Sequence, residues 1–136
     1  MEKIIDSIPI PLLEKELTKS RFIRKTNNAN NEIYIVNFHN SPNVTKEIGR
    51  LREITFRNAG GGTGKNCDLD DYDTREKAPY QQLIVWAPES KEIIGGYRFI
   101  KCEQALNVNL ELATNGLFNF SEKFSINYLP HTIELG

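Results

Sequence analysis

The stretch QQLIVWAPESKEIIGGYRFIKC, residues 81–102, holds two apolar runs of strand length on either side of a Pro-Glu-Ser-Lys-Glu turn. Both runs are rich in β-branched and aromatic residues, and a turn of that size closes a hairpin. The first run, 81–87, is continuously apolar rather than alternating, which predicts a strand covered on both faces. The second, 93–102, carries Gly95 and Gly96 side by side, the mark of a bulge or of backbone held close to a neighbour. Arg98 interrupts its apolar series. An outward arginine there meets solvent, whereas an inward one requires a carboxylate partner.

Working upstream, RFIRKT (21–26) and EIYIVNF (32–38) read as two strands around NNANN, since asparagine tolerates left-handed backbone in a turn. The segment NSPNVTKEIGRLREITFRN (40–58) reads as a helix, with Ser41 capping and Pro42 in the first turn. Val44, Ile48, Leu51 and Thr55 give it one buried face, and Ile48, Arg52 and Phe56 stack along one edge. Gly49 weakens such a helix by about 1 kcal/mol relative to alanine, which predicts a close neighbour at that point. A short helix from about Pro11 would bury Leu12, Leu13 and Leu17 together. Downstream, SEKFSINYL reads as a helix and HTIELG as the start of a strand. These elements predict one α/β domain over residues 1–136, without repeats or linkers.

Charge adds little: 17 Lys and Arg against 18 Asp and Glu leave a net charge of −1, with no global pull towards nucleic acid or anionic membrane. The longest apolar run, LIVWA, is far short of a membrane span, and the N-terminus lacks the apolar core of a signal peptide, so a cytoplasmic location is expected. Cys67 and Cys102 have no C-x-x-C spacing and read as reduced thiols. His39 and His131 are isolated from both, so no metal site is expected.

Two polar stretches invite ligand readings. In FRNAGGGTGKN (56–66), aligning Gly64-Lys65 with a phosphate loop puts Ala59 at the first glycine and Asn66 at the hydroxyl position, after a helix instead of a strand. The glycines are better read as ending the helix and opening a mobile loop. In DLDDYD (68–73), a calcium loop fails because Tyr72, Asp73 and Pro79 occupy positions 5, 6 and 12. Asp70 and Asp73 instead bring carboxylates to the edge of the coming strand, within reach of an inward Arg98.

In order along the chain, RLREITFR, DLDDYD, QQLIVW, IIGGYRFI and TIELG resemble the GNAT-like lipid N-acyltransferases. These enzymes form the lyso precursors of ornithine or glycine lipids and are often labelled putative hemolysins. The glycine-rich FRNAGGGTGK is most similar to the glycine-lipid branch. Acyl-homoserine-lactone synthases share the skeleton more distantly. The resemblance covers roughly residues 45–136. It implies a GNAT-like mixed, mostly antiparallel sheet with flanking helices, and transfer of a 3-hydroxy fatty acyl group from acyl-acyl carrier protein to the amino group of glycine or ornithine.

Carried over residue by residue, the resemblance implies that Arg52 and Phe56 border the acyl and carrier site and that Asp70 and Asp73 are the acidic pair. Arg98 is the arginine after the glycines, and Glu134 is the glutamate of the closing strand. Glu134 would take the amine proton, and Arg52 or Arg98 would either hold an amino-acid carboxylate or order the aspartates. The glycine loop would be a mobile cover over the substrate. No tightly bound cofactor is expected beyond the donor's phosphopantetheine thioester. The acyl carrier protein and an amino-acid acceptor are the expected partners, with peripheral membrane contact and a homodimer through an open sheet edge as further ones. The family motif is still running at HTIELG, so the resemblance also implies that the C-terminal part of the fold lies beyond this chain, which alone would be inactive. Two other readings stand beside this one: a homoserine-lactone-type signal synthase and a non-enzymatic, hemolysin-like membrane-interacting protein.

Overall fold

Five strands follow one another in chain order across a single sheet in the computed structural model, which describes all 136 residues. They are β1 (Phe22–Lys25), β2 (Glu32–Val36), β3 (Gln81–Ala87), β4 (Glu92–Lys101) and β5 (Ile133–Leu135), and all four pairings are antiparallel. Helices α1 (Ile10–Glu16) and α2 (Pro42–Asn58) precede β3, with a single helical turn, α3 (Asp71–Thr74), between. Helices α4 (Cys102–Leu106) and α5 (Glu122–Asn127) lie between β4 and β5. The expected α/β fold is present. No helix is long and apolar enough to cross a membrane.

One face of the sheet is covered at two points. Leu13 of α1 and Val44 and Ile48 of α2 pack on Tyr34, Val36, Ile84 and Trp86. Further along the same face, Tyr80 and Ile100 join Cys102, Ala105, Leu112 and Leu129 in a second core. The opposite face does not follow the expectation from the apolar run at 81–87, whose burial alternates residue by residue. Gln82, Ile84 and Trp86 are buried while Gln81, Leu83 and Val85 are half-buried, because the helices pack on the side of Ile84 and Trp86. Strand β5 is an edge of the sheet, with Ile133 54% and Leu135 65% exposed.

The start of α2 is built differently from its sequence signature. Ser41 occupies the capping position but its hydroxyl caps no amide. The open amides of Asn43 and Val44 donate instead to the carboxylate of Glu16, at 3.1 and 2.8 Å, so α1 supplies the negative charge that a helix N-terminus favours. Leu13 is buried by this docking, whereas Leu12 remains exposed. Gly49 meets the expectation of a close neighbour: a Cβ there would come within 2.7 Å of the Cys67 sulfur and 2.8 Å of Leu69 Cγ.

Candidate active site

Between the exposed end of α2 and strand β4 lies a cleft of about 480 Å³. Its helix wall carries Ile48, Arg52 and Phe56, the edge that the spacing of four predicts, together with Leu51 and Thr55. Its sheet wall runs from Ile84 through Ile93 and Gly96 to Arg98. Within that wall, Gly96 lets β4 lie tightly against β3. A Cβ on Gly96 would lie 2.5 Å from the Leu83 carbonyl oxygen, so only glycine fits. The ladder slips beside it, with Val85 opposite Gly95 but Trp86 opposite Ile93, which leaves Ile94 as the extra residue of a bulge.

The polar end of the cleft is a network of two guanidiniums and three carboxylates. Asp70 caps α3, and Asp70 and Asp73 each accept the other's backbone amide, which fixes both carboxylates. Arg98 points inward and reaches Asp70 Oδ2 at 2.8 Å and Asp73 Oδ2 at 3.1 Å. Arg52 reaches the same Asp73 oxygen at 3.2 Å and Asp68 at 3.3 Å. The other Asp73 oxygen accepts from Gln82 Nε2 at 2.8 Å, so this fully buried carboxylate is satisfied on both sides. Burial works against the charge on Arg98, but the charges of Asp73 and Asp70 outweigh it and hold its pKa above the ordinary value. Burial likewise pushes the Asp70 carboxyl up, while the hydrogen bond and charge of Arg98 prevail and hold it below its ordinary range.

Of the residues the resemblance implies, Arg52, Phe56 and Arg98 therefore line one cleft, and Asp70 and Asp73 stand directly behind it. Glu134 is not at the cleft. It lies across from Ile100 in the second core, 8% exposed, and takes hydrogen bonds from the hydroxyls of Tyr80 and Thr114, each at 2.5 Å. The Tyr80 oxygen in turn accepts the amide of Ala113 at 2.8 Å. Burial first, then the bond to Glu134, push the Tyr80 phenol well above its ordinary pKa, so it stays protonated as the donor. Both Glu134 oxygens are thus engaged by hydroxyls of the second core, and its side chain does not line the cleft.

The family model for the acetyltransferase (GNAT) domain matches residues 51–136, from the cleft edge of α2 through β5. The chain belongs to this GNAT family. A glycine N(alpha)-acyltransferase of Bacteroides thetaiotaomicron is 53% identical over 142 aligned positions, and one of Phocaeicola vulgatus is 52% identical over 139. Both alignments cover all of this chain but only 41% and 42% of those proteins, so the chain spans about two fifths of the length of the curated relatives it matches. No solved structure matches the chain.

Two features of this GNAT domain differ from what the sequence suggests. Tyr80, wholly buried, places its ring 5.2 Å below the guanidinium carbon of Arg98 and its hydroxyl on Glu134, which joins the cleft network to the second core. Nothing in the sequence around Tyr80 marks it. The second feature is the glycine loop, which is tied down where a mobile cover was expected. Gly60 ends α2 with a left-handed turn, and the amide of Gly61 returns to the Phe56 carbonyl at 2.8 Å. The Glu2 amide donates to the Gly64 carbonyl at 2.8 Å and the Ile5 amide to that of Asn66 at 3.0 Å. No residue from 60 to 66 lines the cleft.

Proposed function

We propose that this GNAT domain forms the acyl-donor side of an N-acyltransferase that moves a 3-hydroxy fatty acyl group from acyl carrier protein to the amino group of glycine, with ornithine as the alternative acceptor. The observation that carries the reading is the cleft itself, apolar along Ile48, Ile84 and Ile93 and charged at the Arg52–Arg98 end. An acyl chain suits the first part and a polar amino acid the second. The naming of both relatives as glycine N(alpha)-acyltransferases supports the choice of acceptor.

In this reading the amine attacks the thioester carbonyl, the C–N bond forms, the C–S bond breaks, and the departing thiolate takes up the proton that the nitrogen releases. No covalent enzyme intermediate is needed. Backbone N–H groups at the Ile94–Gly95 bulge polarise the carbonyl. Arg52 and Arg98 spend their hydrogen bonds on Asp68, Asp70 and Asp73, which favours the ordering role over direct capture of the acceptor's carboxylate. Three carboxylates against two guanidiniums leave one excess negative charge, which draws an ammonium acceptor to the cleft before it loses its proton. Glu134 acts from behind, holding Tyr80 beneath Arg98.

Donor binding is read on this chain from the fluorescence of Trp86, its single tryptophan, which packs beside the apolar end of the cleft. Transfer is read by mass spectrometry on the full-length protein, after incubation with 3-hydroxyacyl carrier protein and glycine or ornithine. A saturable fluorescence change together with an N-acyl product supports the proposal. No response of Trp86 and no N-acyl product with either amino acid would remove it.

A further inference from the structure

The glycine loop resembles a phosphate loop and binds no part of the cleft, so its own hydrogen bonds decide what it is for. Its occupant is a carboxylate. Glu53, on α2 and wholly buried, receives two donors on each oxygen. Oε1 takes Arg57 Nε at 2.6 Å and the Gly64 amide at 2.9 Å. Oε2 takes the Thr63 hydroxyl at 2.6 Å and the Thr63 amide at 3.0 Å. Backbone amides, one hydroxyl and one guanidinium converging on a single anion are the donor set with which proteins hold free oxyanions.

We infer that residues 62–64 with Arg57 form an oxyanion cradle, whose native guest is the chain's own Glu53 and which accepts a small carboxylate such as formate when that side chain is removed. Parts of the cradle are held by contacts other than those to Glu53. Gly62 holds φ at +94°, and a Cβ there would meet Arg57 Cγ at 2.9 Å and Glu53 Oε1 at 3.2 Å, so a side chain would crowd the pocket and strain the turn. Arg57 is pinned independently of its guest, donating to the carbonyls of Glu2 at 2.8 Å and Lys65 at 2.6 Å. The loop, the N-terminal arm and the end of α2 beside Phe56 are thus fastened by one buried anion. The assignment does not depend on the acyltransferase reading.

The test is chemical rescue of Glu53→Ala, with formate as the probe and sodium chloride at matched ionic strength as the control. Thermal unfolding of the variant should fall by several degrees. Formate should restore at least half of that loss along a saturating curve, as expected for a ligand that binds only the folded chain. The parent protein, whose cradle is full, should not respond, and neither should Glu53→Gln, whose amide fills the space without the charge. If Glu53→Ala is unfolded in buffer, the same titration is read as recovery of helical circular dichroism. Equal responses from parent and variant, or no response of the variant to formate in either readout, overturn the inference.

Discussion

A single Asp73 oxygen lies 3.1 Å from Nη1 of Arg98, so a carboxylate of α3 with no solvent exposure is matched by a guanidinium of β4. The same oxygen also serves Arg52, 3.2 Å away on α2. Asp73 is therefore the point where helix, turn and sheet meet around one charge. Replacing it by asparagine leaves two largely buried guanidiniums short of their counterion. Asp73→Asn should cost about 3 kcal/mol, read from urea unfolding midpoints. A loss below about 0.5 kcal/mol, the size of an ordinary surface change, would show that the network does not organise the fold.

Arg98 should not tolerate the exchange of one cation for another. Its Nη1 serves Asp70 and Asp73 at once while the guanidinium plane lies over the Tyr80 ring. Lysine offers a point charge without the flat, delocalised group that lies over Tyr80. Arg98→Ala should lose about 3 kcal/mol and Arg98→Lys about half of that. Equal stability of the lysine variant and the parent would mean that charge alone suffices.

Neighbouring glycines in β4 should respond in opposite ways. A Cβ on Gly95 meets nothing within 4 Å, whereas one on Gly96 would strike the Leu83 carbonyl at 2.5 Å. Gly96→Ala should therefore destabilise by about 2 kcal/mol through overpacking, while Gly95→Ala should be neutral or slightly stabilising. Matching stability losses at both positions would contradict the bulge geometry.

Glu134→Gln should be felt first in stability. A glutamine presents one acceptor and one donor to a site with two hydroxyl donors, so one hydroxyl must reverse to accept. An amide nitrogen at the Oε2 position also faces the Thr114 backbone amide without an acceptor to offer it. The expected cost is about 1–2 kcal/mol. Should the variant fold as well as the parent yet lose acyl transfer entirely, Glu134 would act among the reacting groups.

Acid should unfold the chain in a narrow window. The Thr63 hydroxyl, followed by Arg57 and the loop amides, holds the Glu53 carboxyl at about 2 against an ordinary 4.5, despite its burial. Asp70 is also held below its ordinary range. Both groups bind protons more readily in the unfolded chain, so their contribution is complete above the ordinary carboxylate range and drains away as pH falls towards about 2. Urea midpoints followed from neutral to acid pH should drop through that range, and Glu53→Gln should flatten the fall. An unchanged slope in that variant would show that Glu53 is not a titrating group.

The hairpin at 81–102, the helix at 42–58 and the inward Arg98 are legible in the sequence because each rests on local pattern: strand composition, fourfold spacing and a charge in an apolar run. Cover of residues 81–87 on both faces is not, since an apolar run records what a strand tolerates and not which elements reach it. Capping of α2 by Glu16 depends on α1 docking across a gap of more than twenty residues, beyond any window in which a cap is read. Arg52, Phe56, Asp70, Asp73 and Arg98 are found by motif order, and the fold brings them together. The hydrogen bond of Glu134 to Tyr80 is not legible, because the two lie 54 positions apart and no local pattern joins them.

The arm that runs from Glu2 to Glu16 clasps α2 at three stations: Arg57 and the glycine loop near its end, Glu47 at mid-length through the Ile8 amide, and the Glu16 carboxylate at its start. The helix that forms the cleft wall thus borrows its end contacts from the segment outside residues 51–136, the part matched by the family model. In hydrogen-exchange terms, the amides of Asn43, Val44 and Gly64 belong to one cooperative unit with the arm, although twenty residues separate the first two from the third. Release of the arm strips the acceptor from the first pair and the packing from the last in a single opening event. Middle-helix amides, bonded within the helix, stay closed until the sheet itself opens.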